Sequence, residues 1–126
     1  MNTVLIVDDH EDIRWLVRLT LEALNLEFLE AGTGSQALEL ARAHVPQLIF
    51  LDVMMPGTLD GLEVCRIIKA DAVLQRSRVV LLTARGQQSD LEAGTRAGAD
   101  GYLVKPFSPA ALLSLAQSVL SDSKTS

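Results

Sequence analysis

Leu48-Ile49-Phe50-Leu51-Asp52 is the stretch that decides the fold: four large apolar residues in unbroken succession, then a carboxylate. Three further runs share the form. Val4-Leu5-Ile6-Val7 leads into Asp8-Asp9, Val79-Val80-Leu81-Leu82 into Thr83, and Tyr102-Leu103-Val104 into Lys105. Continuous branched runs of this length suit strands buried on both faces of a parallel sheet. In such sheets, ligands bind beyond the carboxyl ends of the strands. Three carboxylates, a hydroxyl and an ammonium are therefore expected at one edge of the molecule.

Helical patterns fill the intervals. Residues Glu11 to Leu24 carry Ile13, Leu16, Val17, Thr20, Leu21 and Leu24 at helical spacing, with Arg14, Trp15, Arg18 and Glu22 off that stripe. Glu27 to Ala31 reads as a second strand, less apolar and so placed at a sheet edge. Thr33-Gly34-Ser35-Gln36 is a capping box opening a helix to about His44, with Pro46 beyond it, and Asp60-Gly61-Leu62-Glu63 opens another with Val64, Ile67 and Ile68 inward. Gln87 to Ala97 forms a weaker helix, thin in large apolar residues and carrying Gly94. Ser108 and Pro109 start the last helix, whose stripe is Leu112, Leu115, Ala116 and Val119. Five βα units predict an α/β fold: a doubly wound, five-stranded parallel sheet with right-handed crossovers and helices on both faces. One domain is expected over residues 1–120, followed by a frayed polar tail at 121–126.

The chain has 126 residues and a formal net charge of −5. That balance argues against direct nucleic acid binding, which basic patches support. The single cysteine, Cys65, has no disulfide partner, fits a reducing cytosol, and falls in an apolar stripe as buried filler. No signal peptide or membrane span is present in the reading, because every apolar run is short. A cytoplasmic, soluble protein is expected.

Asp8, Asp9 and Asp52 end neighbouring strands in this scheme, and like charges packed together call for a cation or for protonation. Mg2+ prefers oxygen ligands and commonly takes one or two carboxylates, several waters and a phosphate. Thr83 can donate to a phosphoryl oxygen and Lys105 can pair with it as a point charge. Together the groups suit phosphoryl transfer, in which positioning and charge stabilisation do most of the catalysis. Asp52, ending the most central run, is the candidate nucleophile. Each of these residues alone would be read as a turn former or a helix cap. Their joint placement on four strands gives the chemical reading its weight.

The chain resembles the receiver domains of two-component response regulators over nearly its full length. The resemblance is carried by Asp8-Asp9, by Asp52 with Met55-Pro56 and Asp60-Gly61 after it, by Thr83-Ala84, and by Gly101-Tyr102-Leu103-Val104-Lys105-Pro106-Phe107. It implies strand order 2-1-3-4-5 in a flavodoxin-like three-layer sandwich. It implies that Asp52 accepts a phosphoryl group from a sensor histidine kinase or histidine phosphotransfer protein. By the same resemblance, Asp9, Asp52 and the Met54 backbone carbonyl bind Mg2+, with Asp8 acting through water. Lys105 pairs with Asp52 and then with the phosphoryl group. Thr83 and Tyr102 form the switch, Pro106 follows a cis peptide bond, and small Ala84 leaves the acceptor accessible. The residues tied to dephosphorylation rate fall at Met54 and Arg85. The protein would be a phosphoacceptor that assists its own phosphorylation and dephosphorylation, not an enzyme in the usual sense, and it would change a partner-binding face for a downstream effector.

One departure stands out. The family places its Asp-Gly seven and eight residues after the acceptor, whereas Asp60 and Gly61 lie eight and nine after Asp52. The longer segment is expected to bulge outward at Gly57. The last helix has Ala111, Leu112 and Gln117 where dimers of winged-helix regulators carry charge, so a monomer or weak dimer without its own output domain is expected. His10 is read as a helix-start residue, His44 as a helix end, and Trp15 as half exposed with a possible docking role. Two other functions compete. One is a Mg2+-dependent aspartyl-phosphate phosphatase or phosphotransferase resembling haloacid-dehalogenase-type enzymes, disfavoured by the adjacent Asp8-Asp9 and the lack of a cap. The other is a phosphorylation-independent receiver-fold adaptor, disfavoured by retention of every acidic and basic site residue. A flavin carrier fits worse, since an acidic pair follows the first strand where phosphate would need donors.

Overall fold

The computed structural model describes residues 2–55, 57, 59–84 and 88–125, giving the backbone alone at 88–90 and 122–125. Side chains alternate across a strand, and the central strands use both faces. From β1 (Thr3–Val7), β3 (Leu48–Asp52) and β4 (Arg78–Thr83), the residues Leu5, Val7, Ile49, Leu51, Val79 and Leu81 enter one core. Val4, Ile6, Leu48, Phe50, Val80 and Leu82 enter the other. With β2 (Glu27–Ala31) and β5 (Gly101–Val104) at the edges, the strands pair in parallel in the order β2-β1-β3-β4-β5. This is the expected doubly wound order. The apolar runs are unbroken because water reaches neither side of the middle strands.

Helices α1 (Glu11–Leu21) and α5 (Pro109–Thr125) cover one face through Val17, Leu21, Leu112, Ala116 and Val119. The opposite face carries α2 (Gly34–His44) and α3 (Gly61–Ala70), with α4 (Gln88–Arg96) alongside. Caps sit where the sequence placed them. Thr33 accepts from the Gln36 amide at 3.2 Å, Asp60 from the Glu63 amide at 2.9 Å, and Ser108 from the Ala111 amide at 3.1 Å. Two boundaries differ from expectation. The first helix ends its α form at Leu21, and Glu22–Leu24 tighten into a 3-10 turn before Asn25 reverses the chain at φ 56. The last helix runs on to Thr125 through the segment expected to fray. No glycine or proline follows Pro109 to stop it, and extending a formed helix adds a bond for each residue fixed.

The connection from β3 to α3 sets the floor of the carboxyl edge. The Gly61 amide donates to the Val53 carbonyl at 3.0 Å, and a Cβ on Gly61 would lie 2.1 Å from the Asp52 carbonyl oxygen. No side chain fits there. On the outer side of this connection, Gly57 is exposed at φ 99 with nothing within 4 Å of where a Cβ would stand. Pro56, named in the sequence motif, and Arg85 lie outside the described residues. Gly61→Ala is expected to destabilise the fold by about 1–3 kcal/mol, because the clash is with backbone that cannot rotate away. Urea unfolding would register this as a lower midpoint at unchanged slope, and an unchanged midpoint would contradict it.

Candidate functional site

Four strands bring their carboxyl ends to one edge: Asp52 and Thr83 end β3 and β4, and Asp8 and Lys105 follow β1 and β5. The Asp8 amide extends the ladder to the Ala31 carbonyl at 3.1 Å, and the Lys105 amide extends it to the Thr83 carbonyl at 2.6 Å. Asp8 is completely buried, yet both carboxylate oxygens have partners. Its Oδ1 accepts from the His10 amide at 2.9 Å and lies 3.1 Å from His10 Nδ1, while Oδ2 accepts from Lys105 Nζ at 2.7 Å. Lys105 Nζ also lies 3.4 Å from Asp52 Oδ1, which accepts from the Met54 amide at 3.3 Å. The lysine thus bridges both buried carboxylates and sits nearer to Asp8. The sequence reading paired it with Asp52 alone; the strand-end positions gave no sign of the closer partner.

Two residues gain roles that the sequence reading did not give them. Arg14 donates from Nη1 to the Asp8 carbonyl at 2.7 Å and from Nε to Glu30 at 3.0 Å, clamping the turn after β1 to β2. It lies off the helix stripe because it faces the sheet edge, where helical periodicity carries no signal. His10 caps α1 by position without a side-chain cap bond. Its ring turns back to the acidic pair, 3.3 Å from Asp9 Oδ1.

Burial pushes the Asp52 carboxyl up to about 6, the charge of Asp8 adds to the rise, and Lys105 and the Met54 amide hold it back. This is the repulsion expected of packed carboxylates, and a cation would relieve it. Asp8, Asp9, His10 and Asp52 each offer a donor atom within 4.8 Å of the others. Three of these donors are carboxylate oxygens, so the set fits a hard divalent ion. Thr83 is buried at the end of β4, and Ala84 beside it is exposed. Thr83 and Tyr102 line one cavity of about 140 Å³ between α4 and β5, together with Leu91, Gly94 and Thr95. Tyr102 is 49% exposed and Met54 is exposed. The Lys105-Pro106 peptide is cis, as expected. Cys65 is free and buried, and burial pushes its thiol up to about 11, in keeping with inert filler.

A doubly wound sheet whose carboxyl edge gathers an acidic cleft, a threonine and a lysine defines a signalling domain of the receiver class. The family model for the response regulator receiver domain matches residues 4–117, and the chain belongs to that family. Phosphate regulon transcriptional regulatory protein PhoB of Pseudomonas aeruginosa is 40% identical over 118 residues, covering 94% of this chain and 51% of that protein. Transcriptional regulatory protein ResD of Bacillus subtilis is 43% identical over 106 residues, covering 84% and 42%. The chain spans about half the length of these curated relatives. Among solved structures, chemotaxis protein CheY4 of Vibrio cholerae superposes with a TM-score of 0.87 at 34% identity, covering 94% of this chain and 98% of that one. A response regulator from Chloroflexus aurantiacus reaches 0.89 at 32% identity, covering 95% and 98%. Several relatives carry names as transcriptional regulators, so the expectation of no nucleic acid contact rests on the charge of this chain alone. Among the described residues, no helix is long and apolar enough to cross a membrane.

The raised value at Asp52 fixes the sign of a pH effect. Its ordinary value is 3.8 and its folded value is about 6, so the stability it contributes is complete below the former and is lost as pH rises through the latter. Asp52→Asn leaves Lys105 paired with Asp8 and removes the buried charge. In chelator-treated buffer the variant is expected to be the more stable protein above pH about 6, by on the order of 2 kcal/mol, with the difference closing toward acid. Urea titrations across pH test this. A wild type and variant that keep a constant gap would overturn it.

Proposed function

We propose that the domain is a phosphorylation-activated switch whose phosphoacceptor is Asp52. The observation that carries the reading is the convergence of Lys105 Nζ on Asp52 and Asp8, at 3.4 and 2.7 Å. A cation already stands where charge would collect on an incoming phosphoryl group. The donor is a phosphohistidine on a sensor histidine kinase or phosphotransfer protein. An Asp52 carboxylate oxygen attacks phosphorus, the P–N bond breaks as the P–O bond forms, and the imidazole leaves with the bonding pair. Lys105 and the Thr83 hydroxyl stabilise the phosphoryl oxygens of the product. Asp9, Asp52 and the Met54 carbonyl would hold Mg2+, with Asp8 through water, and the ion would offset charge on the phosphoryl group. The exposed side of the cleft next to Ala84 leaves room for the donor.

The same reading covers the output. Drawing Thr83 toward a phosphoryl oxygen alters the cavity it shares with Tyr102, and the Tyr102 ring changes position on the α4–β5 face. A downstream effector reads that face, whether a separate protein or a further segment of a longer chain like the PhoB relative. The domain assists its own phosphorylation and dephosphorylation in the cytosol and does not turn over a substrate.

Incubation with Mg2+ and a small acyl-phosphate donor, followed by intact-mass measurement, tests the acceptor. The wild type should gain a single phosphoryl group, Asp52→Asn should gain none, and Lys105→Ala should gain it at least about tenfold more slowly, the loss of one charge-stabilising contact. Incorporation that survives Asp52→Asn would refute the site. Steady release of phosphate from phosphomonoesters would favour the phosphatase reading instead.

A further inference from the structure

We propose that His10 adds an imidazole nitrogen to the divalent-metal site and biases it toward transition ions, Zn2+ and Ni2+, over Mg2+. The inference rests on the reading of Asp9 and Asp52 as metal-holding residues, and adds to it a residue of this chain. His10 occupies the N-cap of α1 in an extended conformation, φ −97 and ψ 115, yet its side chain makes no cap bond. Its ring turns the other way. Nδ1 lies 3.1 Å from Asp8 Oδ1 and 3.3 Å from Asp9 Oδ1. The His10 amide donates to the same Asp8 oxygen at 2.9 Å, so the backbone holds this residue against the acidic pair.

The geometry is close to a coordination shell. Donors about 2.0–2.2 Å from one ion lie at most roughly 4.4 Å apart. The donor atoms of Asp9, His10 and Asp52 all fall within 4.8 Å of one another, so adjustments of a few tenths of an ångström close the gap. The His10 side chain is 66% exposed, and ligation would exchange the 3.1 Å contact of Nδ1 with Asp8 Oδ1 for a bond to the ion. Ligation through Nδ1 places the ring proton on Nε2. Imidazole is a good ligand for Zn2+ and Ni2+, whereas Mg2+ takes oxygen and gains nothing from the nitrogen. A site of carboxylates alone would lack this added bias.

The test is calorimetric titration of the full chain with MgCl2, ZnCl2 and NiCl2 at neutral pH, on wild type, His10→Gln, His10→Ala and Asp9→Asn. Gln keeps a polar group at the position and removes the imidazole. The ratio of Zn2+ or Ni2+ affinity to Mg2+ affinity should fall at least about tenfold in both His10 variants, on the scale of changes around a metal shell, while Mg2+ affinity changes less than about twofold. Histidine ring resonances give a second readout. The chain has two histidines, and Zn2+ should shift His10 while His44, ending α2, serves as internal reference. An unchanged ratio, or an unshifted His10 resonance under saturating Zn2+, overturns the inference and leaves the Mg2+ reading intact. Mg2+ binding that is absent from wild type, or unaffected by Asp9→Asn, overturns the Mg2+ reading itself.

Discussion

The ion pair between Lys105 and Asp8 ties together parts of the chain 97 residues apart. Asp8 has no exposure to water, and a buried carboxylate without a partner is strongly destabilising, by about 3–5 kcal/mol when a buried pair is broken. Its lysine comes from the edge strand β5, three positions across the sheet from β1. The Lys105 amide still bonds the Thr83 carbonyl, so the contact is made by the reach of the side chain across the strand ends. Once there, the ammonium also reaches Asp52, so one cation holds two carboxylates that would otherwise repel. The acidic cleft is held together by a cation of the chain itself because of this arrangement. Arg14 completes it from the other side by fixing the Asp8 carbonyl and Glu30.

Packing is uneven across the sheet. Phe50 and the leucines of β1, β3 and β4 are sealed on both faces. Helix α4 approaches β4 through Gly94, where a Cβ would meet Leu81 Cδ1 at 2.6 Å. The apolar thinness of that helix in the sequence is thus a condition of close approach. A small cavity remains beside it with Thr83 on one wall and Tyr102 on another. Regions of low contact density open at lower free energy than the core.

The connection after Asp52 is tight on one side and open on the other. Its inner side is fixed by the Gly61 amide on the Val53 carbonyl, with no space for a side chain between helix α3 and the Asp52 backbone. Its outer side is open at Gly57, whose positive φ suits glycine.

Reading the residues in order was enough for the strands, their approximate ends, the edge position of β2, three helix caps and the set of polar residues at the carboxyl edge. These follow from periodicities of two and 3.6 and from local capping chemistry, which are written into neighbouring positions. Strand order came from likeness to a family, because hydrophobic pattern does not say which strand lies beside which. The limits of the local signal are visible at α1, which tightens after Leu21, and at α5, which continues where composition suggested fraying. Contact identity was beyond it altogether. That Lys105 lies closer to Asp8 than to Asp52, that Arg14 braces the turn after β1, and that the His10 ring leaves its cap position for the acidic pair all depend on side chains from separate elements meeting in space. Sequence determined which chemical groups reach the edge of the sheet; only tertiary packing decided which of them touch, because those distances are set by crossovers and loops that local pattern does not encode.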